Sequence, residues 1–189
     1  MIKLGATTLF CVLATGLLGS AMGRTANAAE IEAGCEPVLK AIQAMNSSPR
    51  FHWKMSATTP NRKRPSRHEE VVISDVVYMT PPGPGKWMRL QMTAADRAAF
   101  AAREMEQNPI GDCKTGQRED LDGVEAETYH YQQKMAKQSS ASAGSGGTVS
   151  TSKLWIGTKD GLPRRIESLT GDVSVLVTVD YENVEPPYR

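Results

Sequence analysis

The 189 residues, 40% hydrophobic and 23% charged, are enough for one globular domain with a real core. A formal charge of +1 gives no electrostatic footprint for bulk nucleic-acid binding. With three cysteines, three histidines and no internal repeat, the chain is neither a cysteine-dense scaffold nor a solenoid.

Residues 1–28 read as a cleaved signal peptide: Lys3, an apolar run from Leu4 to Leu18, and the small residues Ala26 and Ala28 ahead of Ala29. The run falls short of the ~20 residues that a membrane span needs. Phe10 precedes Cys11 where a lipid-anchored cysteine needs a small residue. The expected product is one domain over residues 29–189, periplasmic, soluble and monomeric. Removing the leader takes away Lys3 and Arg24 and leaves one more acid than base. It also takes Cys11, so Cys35 and Cys113 remain in an oxidising compartment and are expected to form a disulfide. A redox or nucleophilic role would need a Cys-x-x-Cys pair or a local histidine, and neither cysteine has one.

Val38, Leu39, Ile42 and Met45 fall at helical spacing behind Glu36-Pro37, and Asn46-Ser47-Ser48-Pro49 stops the run, which predicts an amphipathic helix. From Arg50 the period becomes two. Phe51, Trp53 and Met55 alternate with His52, Lys54 and Ser56 in a first strand. The segment Thr59 to Arg67, with two prolines and the bases Arg62, Lys63, Arg64 and Arg67, is a solvated turn. Strands follow at His68 to Ile73, Val76 to Met79 and Lys86 to Met92, the last two separated by the loop Pro81 to Gly85.

Thr93 is a candidate N-cap for an alanine-rich helix that ends at Asn108-Pro109; its large apolar residues are Phe100 and Met105. Gly111 to Leu121 reads as an exposed strand. Asp122-Gly123 turns it into Val124 to Met135, and Gln138 to Ser150 has the composition of a flexible loop. Lys153 to Pro187 predicts a three-stranded meander with turns at Asp160-Gly161 and Gly171-Asp172. Val173, Val175, Val177 and Val179 form its apolar face, expected to point toward the helices. Two helices with eight to ten short-linked strands predict an α+β domain. It should be a curved antiparallel sheet, an incomplete barrel, with both helices on or across its concave face.

Chemistry is harder to find than architecture. His52, His68 and His130 show no metal spacing, and His68-Glu69-Glu70 lacks a second histidine. Gly83-Pro84-Gly85-Lys86 is followed by Trp87 where a phosphate loop needs a hydroxyl, and no serine sits in a nucleophile elbow. The reading is non-catalytic, with no cofactor and no metal. The functional signal is apolar and aromatic: Trp53, Met55, Tyr78, Met88, Met92, Tyr129, Tyr131 and Leu154 are candidate lining for an apolar ligand. The basic run Arg62, Lys63, Arg64 and Arg67 is a candidate contact for lipid headgroups or an acidic partner.

Several motifs together resemble the LolA/LolB-type periplasmic proteins and, more narrowly, their exported relatives. These are Gly85-Lys86-Trp87, the stretch Asp122 to Tyr129, Leu154-Trp155-Ile156, Gly161 to Glu167 and Tyr181-Glu182-Asn183-Val184. The likeness runs from about Phe51 to Pro187. It implies a curved, incomplete barrel with helices as a lid, whose concave apolar face holds acyl chains in the lipoprotein carriers. The cysteine pair and the Ser/Gly loop depart from those carriers, and none of their functional residues maps onto a position here. Two functions stay open: a periplasmic binder or carrier of a lipid or other apolar ligand, and a cell-envelope protein-interaction module with a closed core.

Overall fold

The computed structural model describes residues 32–81, 86–135 and 148–188. A 3-10 turn, Ala33–Cys35, leads into α1, Glu36–Ser47. Pro37 suits the first helical turn, where its missing N–H is not needed, and Glu36 complements the helix dipole there. The strands β1 (Arg50–Thr58), β2 (Ser66–Ile73), β3 (Val76–Met79) and β4 (Met88–Gln91) form a first meander. After α2, Ala94–Gln107, a second meander runs through β5 (Ile110–Leu121), β6 (Val124–Met135), β7 (Thr148–Gly157), β8 (Pro163–Thr170) and β9 (Val173–Asp180).

All nine strands belong to one antiparallel sheet in the order β4-β3-β2-β1-β9-β8-β7-β6-β5. Every pairing joins consecutive strands except β1 with β9, which unites the two meanders through pairs such as Met55 with Val177 and Trp53 with Val179. This is the expected α+β class, and the sheet is not closed, since β4 and β5 remain its two edges. Those edges dictate the place of α2, which must carry the chain from one to the other. The helix reaches about 20 Å and its two linkers about 10 Å each, barely the about 38 Å across a flat nine-stranded sheet, so a curled sheet is the one that α2 spans without being stretched taut.

The turns follow their residues. Asp122 and Gly123 both take positive φ, 54° and 86°, as a two-residue hairpin turn requires. β5 is irregular, with register shifts between Gly111 and Lys114 and between Thr115 and Arg118. Its Cys113 is bonded to Cys35 with the Cα atoms 5.0 Å apart, so the expected disulfide ties the 3-10 turn to the edge strand. The predicted strand 86–92 is shorter than expected, while β2 starts two residues earlier because Ser66 pairs with Ala57. The signal-peptide segment, loop residues 82–85 and residues 136–147 of the Ser/Gly segment lie outside the described residues; 148–150 already belong to β7.

Candidate functional site: the helix-bearing face of the sheet

Register decides which side chains share the inner face, the one that carries the helices. On β6 and β7 it presents Tyr129, Tyr131, Leu154 and Ile156, and α1 lays Val38 and Ala41 on them. Val38 and Leu154 have no exposed surface, so this half is a closed core. Tyr129, Tyr131 and Leu154, expected to line a ligand site, are part of that packing. The Tyr129 hydroxyl donates to Glu127 at 2.7 Å; burial, and then this bond, push its pKa up to about 12. Farther along α1, Met45 packs over Phe51, Val72, Val77, Val177 and Val179. Of the expected valine face of β9, Val177 and Val179 thus lie in the cluster that Met45 packs against, with Val175 at its margin.

Beyond that row the same face is only half covered. Trp53, Met55, Met79, Met92 and Val175 are partly buried at the margin of the second cluster. On the edge strand, Leu90 opposite Val77 and Met88 opposite Met79 are 44% and 43% exposed. Four of the eight expected lining residues, Trp53, Met55, Met88 and Met92, therefore gather on the open half. Tyr78 does not: its neighbours Val77 and Met79 take the inner face, and its ring meets Tyr188 edge-on at 5.5 Å on the other side. Four consecutive apolar residues, Val76 to Met79, carry no alternation from which to read this.

Two polar residues share the open strip. His68 lies opposite Met55, with its ring edge-on to Trp53 at 5.7 Å. Glu70 lies between Trp53 and Met79, and burial raises its pKa while nearby Arg97 pulls it back. Among the described residues no three His, Cys, Asp or Glu side chains gather as a metal-holding group. His52 is bonded to Glu69 on the outer face, and His130 is exposed there.

Arg97 is the residue that sequence reasoning missed. Only 3% exposed, it donates from Nε to Asn46 O (3.2 Å) and from one terminal nitrogen to Ser48 O (2.8 Å). The other terminal nitrogen serves both Ser74 O (3.2 Å) and Met92 O (3.0 Å). It fastens the end of α1, the β2–β3 turn and the entry to α2, and so fixes how far the helices extend over the strip. In an alanine-rich helix an arginine reads as a solvent-facing charge, and partners some fifty positions away leave no local mark.

Arg62, Lys63 and Arg64 are exposed on the β1–β2 connection, at the end of the sheet toward which Met55 and His68 lie; Arg67, expected in that turn, is exposed on β2 instead, where pairing with Ser56 puts it on the outer face. A cavity of about 550 Å³ lies elsewhere. Lys54, Asp180 and Arg165 bring it to the outer face, and its lining is strongly charged: Lys54 pairs with Asp180 at 3.0 Å, while Arg164 and Arg165 pair with Asp160 and Glu167 just outside it. Such a lining suits water better than an acyl chain.

No family model and no curated protein matches the chain. Solved structures do. The chain is similar to the lipoprotein LppX of Mycobacterium tuberculosis, at 11% identity over 81% of this chain and 97% of that one, with a TM-score of 0.48. It is also similar to MucB in the Pseudomonas aeruginosa MucA/MucB complex, at 12% identity over 79% and 57%, with a TM-score of 0.44. A third is a LolA superfamily protein from Nitrosomonas europaea, at 11% identity over 79% and 93%, with a TM-score of 0.25. The likeness is one of architecture alone. What the chain binds has to be argued from its own residues.

Proposed function

We propose that this protein is an exported, non-catalytic binder of an apolar ligand, held against the open half of the inner face. The observation that carries the reading is the asymmetry of that face. Under α1 it is packed shut, while across β1 to β4 it offers Trp53, Met55, Met79, Met88, Leu90 and Met92 with no described helix sealed on them. Methionine and tryptophan adapt to flexible chains, and a partly exposed row of them costs stability unless something covers it. The leader-like residues 1–28 support a periplasmic site of action. No helix among the described residues is long and apolar enough to cross a membrane. The basic run Arg62 to Arg67, at the same end of the sheet, would meet the anionic surface of the membrane that supplies the ligand.

Native mass spectrometry of the exported protein, followed by organic extraction, tests this. A co-purifying apolar molecule that leaves on extraction is expected, and an uncharged fluorescent alkyl probe should bind the stripped protein in its place. A second reading, a protein-interaction module, is favoured by the closed core under α1 and by the exposed Met88 and Leu90 on an edge strand. A stoichiometric protein partner recovered from envelope extracts with ligand-free protein would favour that reading instead.

A further inference from the structure

We propose that the molecule held on the open half of the inner face carries a protonated amine, and that Glu70 is the residue that receives it. This deepens the reading above and rests on it. Glu70 is the acid in an otherwise largely apolar strip. Its cross-strand neighbours are Trp53 and Met79, the next row inward is Phe51, Val72 and Val77, and the next row outward is Met55 and His68.

No described residue gives this carboxyl a hydrogen-bond donor. Among the described residues its one resolved interaction is the longer-range attraction of Arg97. That guanidinium is already committed to the carbonyls of Asn46, Ser48, Ser74 and Met92, and Asp75 also contributes to balancing its charge. A carboxylate half-buried beside an indole and a thioether loses part of its hydration without recovering a bond, which costs the empty protein stability. A ligand that brings the donor reverses this. An ammonium gains a charge-assisted hydrogen bond from Glu70 and a cation–π contact from the neighbouring Trp53, while its chain lies over Met55, Met79 and Met88. A carboxylate or phosphate head would meet like charge instead, and an alcohol would gain the hydrogen bond without the charge.

The experiment is calorimetric titration of the purified, lipid-stripped protein at neutral pH with dodecylamine, dodecanol and dodecanoate, repeated on Glu70→Gln. The substitution keeps the size of the side chain and removes a buried charge, so the variant should fold. Dodecylamine should bind about tenfold tighter than dodecanol, the ratio one charge-assisted hydrogen bond supplies, with dodecanoate weakest. In Glu70→Gln the amine should fall to the level of the alcohol, whose affinity stays unchanged. A merely structural Glu70 would move all three together. Equal binding of the three by the parent protein, or an amine preference that survives Glu70→Gln, overturns the role of Glu70 and leaves the apolar site standing. Failure of all three to bind overturns both.

Discussion

Replacing Arg97 by methionine would strip the donors from four part-buried backbone carbonyls at once. Each buried acceptor left unpaired costs about 1–3 kcal/mol, and partial rehydration of the loop ends limits the total, so a loss of about 3–5 kcal/mol is expected in urea denaturation. Arg97→Lys should recover only part of it, because one ammonium cannot reproduce the planar fork. Glu70 acts in the opposite sense. Burial raises its pKa above 4.5, so the folded chain holds the proton more tightly than the unfolded chain does. Its contribution is then fully present below the unfolded value and is lost as pH rises through the raised folded value. Glu70→Gln should therefore leave stability unchanged well below pH 4.5 and increase it at neutral pH, as denaturation midpoints across that window would report. A variant less stable at neutral pH would mean that the attraction of Arg97 outweighs the burial. Neither residue is legible in the sequence. In Glu69-Glu70-Val71-Val72 acids and valines follow each other in pairs, so both faces look alike until register puts Glu70 with Trp53.

At the scale of elements the sequence says more, because turns and caps are local. Asp122-Gly123, Gly161 and Gly171 mark their hairpins by the positive φ that they supply. Thr93 caps α2 in a reciprocal arrangement, its hydroxyl accepting from the Asp96 N–H while the Asp96 carboxylate accepts from Thr93. Thr93→Ala should cost about 1 kcal/mol, measurable by thermal denaturation. The helix has little else to hold it down, since Phe100 remains 55% exposed and Arg97 and Ala101 are its buried positions. The disulfide has a larger effect. It closes a separation of 78 positions, and the loop-entropy model assigns about 4–5 kcal/mol to such a closure. Denaturation with and without reductant should show a loss of that order, and thiol titration should find two more free thiols after reduction. Two cysteines remaining after an expected leader are enough to suggest the pair; the role of the bridge, anchoring the entry to α1 against β5, appears only in three dimensions.

Across the whole molecule, the period-two strands, short turns and two helices allow the container to be read: one open antiparallel sheet with helices on one face. Its two edges are protected differently, β4 by its length of four residues and β5 by irregular register and the bonded 3-10 turn. The contents were legible only in part. Alternation shows that Trp53, Met55, Tyr129 and Leu154 lie on a face with a buried side, and it does not show which of them a helix covers. α1 covers Tyr129 and Leu154 and leaves Trp53 and Met55 half open, a division fixed by where Arg97 pins the helices. The measurement that bears most directly on this is titration of the lipid-stripped protein with an uncharged fluorescent alkyl probe, alongside a Trp53→Asp, Met55→Asp variant whose circular dichroism matches the parent. Saturable binding by the parent that is displaced by unlabelled alcohol and lost in the variant is the predicted result. No saturable binding, or binding that the variant retains in full, would contradict an apolar site on the open half of the sheet.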